Sequence, residues 1–315
     1  MMSVTEMSNS PYMIRNYQPE DFDKFLLLTI EAEKIRPTGR GVSPQVIAEH
    51  LGRPNYSPEQ DLFLIETDGN SVGYVDVAPE LVIGRVILDC WVNPEHRRRG
   101  LVTELLGYAM YRAKELGVKV AHVNIGEDDV AAKSVLSKLG FDCVRQFFEL
   151  RLNMEKVRWQ GIDPGSLDYR HLRRDEVDKL TQIQNRSFAG SWGYNPNTVE
   201  EIVYRTNLSG SSPEDVVLTC EGEKVVGYCW TMINDGGAAA DERKGRICMM
   251  GTDPDYRGRG EGKKVLLAGL TYLQNRGVRV TELTVDGENK IARALYRSIG
   301  FEALTTSLWY EKVIG

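Results

Sequence analysis

The sequence of 315 residues has little of what marks a membrane, secreted or metal-dependent protein. No apolar run approaches the roughly 18–20 residues of a membrane-spanning helix, and Met1–Pro11 is polar, without the apolar centre of a signal peptide. A cytoplasmic protein with no membrane partner is expected. Cysteine is sparse: Cys90, Cys143, Cys220, Cys229 and Cys248 are odd in number, scattered and never paired as C-x-x-C. Most lie in apolar or strand-like runs, so buried, reduced thiols are expected. Four dispersed histidines form no ligand pattern, and no metal is expected. Positive charge is not in excess: the net charge is −6, which gives no sign of nucleic-acid binding. Signatures for covalent catalysis (Ser-His-Asp, Cys-His) and the G-x-x-x-x-G-K-[ST] phosphate loop are also missing.

What is present is a soluble globular composition, 42% hydrophobic and 27% charged, long enough for two domains with a core each. An internal repeat divides it. Val92-Asn93-Pro94-Glu95-His96-Arg97-Arg98-Arg99-Gly100 aligns with Thr252-Asp253-Pro254-Asp255-Tyr256-Arg257-Gly258-Arg259-Gly260, and Leu139-Gly140-Phe141 with Ile299-Gly300-Phe301, both at an offset of 160. Leu62–Ile65 and Val72-Gly73-Tyr74 around Asp68-Gly69-Asn70 resemble Val216–Thr219 and Val226-Gly227-Tyr228 around Glu221-Gly222-Glu223; both read as hairpins. Each half spells strand, helix, hairpin, strand, Arg/Gly loop, helix, strand, helix, strand. That order predicts two α+β domains, 11–155 and 165–315, each a mostly antiparallel central sheet flanked by helices. Glu155–Ser166, broken by Gly161, Pro164 and Gly165, reads as the linker, and residues 1–10 as disordered.

In the second half, Arg257-Gly258-Arg259-Gly260-Glu261-Gly262 lies between a strand and an amphipathic helix with Val265, Leu266, Leu270 and Leu273 at core spacing. Unpaired amides and the peptide dipoles at a helix N-terminus favour an anion, and glycines allow a phosphate close approach. Taken alone, the loop is equally an ordinary Gly-rich turn with solvated arginines. A second motif narrows the choice. In Asn289-Lys290-Ile291-Ala292-Arg293-Ala294-Leu295-Tyr296, residues 289, 292 and 296 share one helical face: an amide, a small residue and a phenol. Such a stripe suits a ligand lying along the helix.

These residues carry a resemblance. The pattern R-x-x-G-x-G (Arg257, Gly260, Gly262), followed by N-x-x-A-x-x-L-Y-x-x-x-G-F from Asn289 to Phe301, resembles the GNAT superfamily of acetyl-CoA-dependent acetyltransferases. The resemblance implies two GNAT-like domains in tandem. It implies that backbone amides of Arg257, Gly258, Arg259, Gly260, Glu261 and Gly262 hold the pyrophosphate of acetyl-CoA. It further implies that Met250-Gly251-Thr252 pair with the pantetheine arm and polarise the acetyl carbonyl, that Asn289 bonds the arm, and that Tyr296 protonates the leaving thiolate. An unperturbed phenol, with a pKa of about 10, keeps its proton at neutral pH and can donate it.

At the same offset the first half retains Arg97 and Gly100 but has Val102 for Gly262, Asp129 for Asn289 and Leu136 for Tyr296. It reads as a degenerate, catalytically silent copy. A decayed first copy in a tandem chain resembles the mycothiol synthase family, as does Asn185-Arg186-Ser187-Phe188-Ala189. That family's glutamate general base, near the start of the strand before the loop, is here replaced by Arg246. The expected activity is acetyl transfer to a primary amine of a small molecule or peptide; the alternative is a non-catalytic acetyl-CoA-binding or scaffold protein. Trp192, Tyr194 and Trp230 are candidates to line the acceptor pocket or to be packing residues, with Asp235, Glu200 and Glu201 nearby. Asp286 and Glu282 are candidate bases by location. The sequence names neither the acceptor nor the oligomeric state.

Overall fold

A computed structural model describes residues 10–35, 41–159, 167–234 and 243–315. Residues 1–9, most of the expected linker and Asp235 lie outside the described residues. The chain divides into two compact units. The first takes the chain up to Val123 with Val135–Phe141 and Glu311–Gly315; the second takes Asn124–Ser134 and Asp142–Tyr310.

The first unit begins with β1 (Met13–Asn16), α1 (Phe22–Ile35), α2 (Pro44–Leu51) and α3 (Pro58–Asp61). The predicted hairpin follows as β2 (Leu62–Thr67) and β3 (Asn70–Glu80), then β4 (Arg85–Val92), α4 (Leu101–Glu115), β5 (Val120–Gly126) and α5 (Val130–Lys138). Neighbouring strands run β1-β2-β3-β4-β5. All pairings are antiparallel except β4 with β5. Tyr17, Phe25, Leu28, Tyr74 and Trp91 pack into a core between α1 and the sheet.

After the segment Asn124–Ser134, the second unit continues with β6 (Asp142–Asn153), which the repeat assigns to the first half of the sequence. Then come β7 (Arg170–His171), α6 (Val177–Phe188), α7 (Val199–Thr206), β8 (Val216–Glu221), β9 (Lys224–Asn234), β10 (Lys244–Thr252), α8 (Glu261–Asn275), β11 (Val280–Asp286), α9 (Lys290–Ile299) and β12 (Glu302–Val313). Its strands are ordered β12-β6-β11-β10-β9-β8-β7, so β6 fills the place beside β11. The pairing is antiparallel and long, from Val280↔Asn153 to Asp286↔Phe147. Leu152 of β6 is buried in one core with Leu266, Leu270, Leu283, Tyr296 and Phe301. The second unit therefore cannot keep its hydrogen-bonded sheet without a strand encoded before residue 155.

Each unit carries the same strut between its first strand and the helix after it. Arg15 donates to Asp21 at 2.6 Å, and Arg170 to Glu176 at 2.7 Å. Burial alone would raise the Glu176 carboxyl, but hydrogen bonds from Lys179, Arg170 and Arg173 overbalance it and hold it at about 2. No described helix is long and apolar enough to cross a membrane. The cysteines depart partly from expectation: none forms a disulfide and Cys229 is buried, but Cys143 and Cys248 are exposed. Strand residues alternate between the two faces of a sheet, so an apolar strand run does not by itself bury every thiol in it.

Candidate functional site

The centre of the second unit is a fork between two parallel strands. β10 pairs with β11 only from Lys244↔Val280 to Ile247↔Leu283, yet β10 continues to Thr252 and β11 to Asp286. On its other side β10 stays paired to β9, with a bulge between Ile247 and Met249, then Met250↔Cys229, Gly251↔Tyr228 and Thr252↔Gly227. A bulge adds one residue and bends its strand. Beyond it, Met250-Gly251-Thr252 have one edge paired to β9 and the other turned to the opening of the fork. An extended chain can add there as a strand.

At the end of β10 the loop turns into α8. Gly258 and Gly260 have φ of +76° and +85°, values that favour glycine. The first helical bonds run from Lys263 and Lys264 to the Gly260 carbonyl, so the preceding amides have no intrahelical partner. Arg257 donates to the Ser187 carbonyl at 2.5 Å, which ties the loop to α6. The Arg259 guanidinium lies 5.5 Å from the Tyr256 ring centroid, and Glu261 pairs with Lys264 at 2.6 Å. Gly262 has neither a positive φ nor a crowded site: a Cβ would stand 3.5 Å from Thr252 Oγ1 and 3.7 Å from Leu295 Cδ2, ordinary contacts. The fold itself does not demand glycine there.

Asn289 is the N-cap of α9, its Oδ1 accepting from the Ala292 amide at 3.0 Å. Its Nδ2 is the donor that a ligand could use. Tyr296 is only 7% exposed and packs edge-on against Phe301. Burial pushes its phenol well above the ordinary value, with Cys229 adding to the effect. Cys229 is the register partner of Met250, and it shares one buried core with Tyr296. Gly251 has a packing reason as well: a Cβ would come within 2.6 Å of Ser187 Cβ and 2.9 Å of Tyr228 Cε1. The hydroxyls of Ser187 and Tyr228 are buried without a hydrogen-bond partner.

The acceptor candidates fall in different places. Trp230 is 8% exposed in the core around Leu180 and Ile202. Tyr194 donates to Asn185 at 2.8 Å and stacks on Phe188, which fixes the segment between α6 and α7. Glu201 caps α7 through Thr198. Trp192 instead joins Phe147 and Trp309 in a three-ring cluster with centroids 5.9–6.2 Å apart. Of the candidate bases, Asp286 is paired with Arg145 at 2.9 Å and Glu282 with Arg151 at 2.6 Å. A residue that sequence reasoning missed is Glu149 of β6. It contacts Arg246 at 2.5 Å and accepts from Thr284 Oγ1 at 2.6 Å. Its only sequence signal was alternation along a strand whose neighbour was unknown. No group of described residues could hold a metal ion.

Comparison with known proteins accords with this geometry. The Acetyltransferase (GNAT) family model matches residues 32–141 and again 177–301. The mycothiol acetyltransferase of Amycolatopsis mediterranei is 29% identical, with 94% of this chain and 95% of that protein covered. That of Actinosynnema mirum is 27% identical, covering 93% and 96%. Among solved structures, a GCN5-related N-acetyltransferase from Sphaerobacter thermophilus superposes with a TM-score of 0.71 at 21% identity, covering 97% of this chain and 96% of that one. A tandem GNAT protein from the clavulanic acid biosynthesis pathway gives 0.69 at 16%, covering 96% and 99%. With the family matched in both halves, the chain belongs to the GNAT family and is an acetyl-CoA-dependent acetyltransferase of tandem architecture.

Proposed function

We propose that the second unit, the expected domain 165–315 completed by β6, binds acetyl-CoA and transfers its acetyl group to a primary amine of a small molecule or peptide. The observation that carries this reading is the fork: a free strand edge at Met250–Thr252 leads directly to the loop where the amides of Gly258–Gly262 precede the first helical bonds of α8. The pyrophosphate sits on those amides and the pantetheine arm runs back along β10, so the thioester lies toward the bulge. Asn289 donates to the arm from the far side. Main-chain N–H groups at the bulge stabilise the oxyanion that forms on amine attack. Tyr296, kept protonated by burial, gives its proton to the departing sulfur.

The test is turnover of acetyl-CoA with a panel of primary amines by the wild type and Tyr296→Phe. The substitution keeps the ring and its packing, so acetyl-CoA affinity and folding should hold while turnover falls by about 10²–10⁴-fold. Because burial moves the phenol above the ordinary range, the loss should be constant over neutral and mildly alkaline pH. Near-wild-type turnover, where chemistry limits the rate, would return Tyr296 to a packing residue.

A further inference from the structure

Acetyl transfer to an amine needs a group to take the ammonium's proton, and on β10 the expected carboxylate is replaced by Arg246. The guanidinium reaches across the fork: Nη1 meets Glu149 Oε1 at 2.5 Å, Nη2 meets Oε2 at 3.2 Å, and Nη2 donates to Thr284 Oγ1 at 2.5 Å. Thr284 Oγ1 in turn donates a hydrogen bond to Glu149 Oε2 at 2.6 Å. Thr284 is the first residue of β11 beyond the last pair with β10. The carboxylate is therefore held at the mouth of the fork, toward which the thioester end of a ligand on β10 points. Phe147, two residues earlier on β6 and thus on the same face, continues this surface into the cluster with Trp192 and Trp309.

The first half of the repeat has no such group. β4 pairs with β5 as Ile87↔His122, where β10 and β11 pair as Arg246↔Glu282, so Ile87 takes the place of Arg246. At the repeat offset, Asn124 stands for Thr284 and Trp309 for Glu149. The trio occurs only where Gly262, Asn289 and Tyr296 occur.

We propose that Glu149, carried on β6 from the first half of the sequence, receives the acceptor's ammonium and takes its proton, with Arg246 and Thr284 as positioning residues. The inference rests on the acetyl-CoA reading above. The ammonium gives one proton to Glu149, and the freed nitrogen lone pair forms the C–N bond at the thioester carbon. The C–S bond breaks, its electron pair leaves on sulfur, and sulfur takes the Tyr296 proton. A second proton from nitrogen returns through solvent to the tyrosinate, and Glu149 releases its proton to solvent. The rings favour an amine whose body presents a flat C–H face, such as a sugar ring or an aromatic group.

Steady-state kinetics of the full chain with glucosamine, benzylamine, alanyl-alanine and hydroxylamine test this, alongside calorimetry with acetyl-CoA. Hydroxylamine is already neutral at neutral pH and needs no base. In Glu149→Gln, kcat/KM for the alkyl amines the wild type uses should fall by about 10²–10³-fold at neutral pH. The deficit should shrink about tenfold per pH unit toward each amine's own pKa, and be far smaller for hydroxylamine, with acetyl-CoA affinity unchanged. Thr284→Val, which keeps both charges, should lose about five- to tenfold. An unchanged Glu149→Gln enzyme would overturn the proposal and leave the acetyl-CoA site standing. So would an equal loss for all four nucleophiles at every pH, or a wild type that binds acetyl-CoA yet acetylates none of the amines. A wild type that does not bind acetyl-CoA would remove both readings.

Discussion

The two units share a backbone and differ in what it carries. In both, the loop after the long central strand turns through two positive φ angles, Arg98 (+64°) and Gly100 (+83°) in one, Gly258 and Gly260 in the other. In both, the first helical bonds return to the second of those residues, Gly100 or Gly260. Asp129 caps α5 through the Ala132 amide at 2.9 Å as Asn289 caps α9. What changes is the ligand-facing chemistry. Asp129 offers only acceptor oxygens, Val102 carries a side chain where Gly262 has none, and Leu136 is a buried apolar residue in the place of Tyr296. β4 pairs with β3 without the bulge that β10 has against β9. By register Trp91 opposes Tyr74 as Gly251 opposes Tyr228. Trp91 is 7% exposed and stacks on Tyr74, whose hydroxyl donates to Asp89 at 3.1 Å. The loop that turns into a helix N-terminus is thus common to both units, and the residues set around it are what differ.

The contrast can be broken at the paired positions Trp91 and Gly251. Trp91→Ala removes a large core side chain and should cost the first unit about 3–5 kcal/mol, read by urea denaturation, with acetyl-CoA binding intact. Gly251→Ala overpacks α6 against β10, should cost about 1–3 kcal/mol, and should weaken acetyl-CoA binding as well. Similar ligand effects from both would mean that the two units do not divide the labour as argued. A smaller effect sharpens the comparison of the loops. Arg98 adopts a left-handed conformation that costs a non-glycine residue about 1–2 kcal/mol, partly offset by the entropy glycine loses on folding. Arg98→Gly should raise stability by about 0.5–1 kcal/mol and leave turnover alone. A destabilised variant would show that the arginine side chain holds the loop.

Much of this was legible in the sequence because it is local. Asp68-Gly69-Asn70 and Glu221-Gly222-Glu223 each spell a turn between β-rich runs, and the common offset of 160 placed the loops and the helices after them. Three helices, α2, the short α3 and α7, were missed, although Ser43 and Thr198 cap α2 and α7 in the usual way. The bulge is a single extra residue and leaves no pattern. The partner of β6 was hidden for a deeper reason: alternation tells which face of a strand is apolar, not which strand lies beside it. Nothing in the sequence therefore singles out Glu149. Trp230 reads the same whether it lines a pocket or a core, and Trp192 was separable from it only through Phe147 and Trp309.

The central claim is that one unit of two holds acetyl-CoA, and isothermal titration of the intact chain tests it most directly. Separate halves would not serve, since residues 165–315 lack β6. The expected result is one acetyl-CoA per chain, with binding strongly weakened by Gly262→Val, whose Cβ the ligand-free fold accommodates, and unaffected by Arg97→Gln in the corresponding loop. Two equivalents per chain, or a single site lost in Arg97→Gln and kept in Gly262→Val, would contradict it.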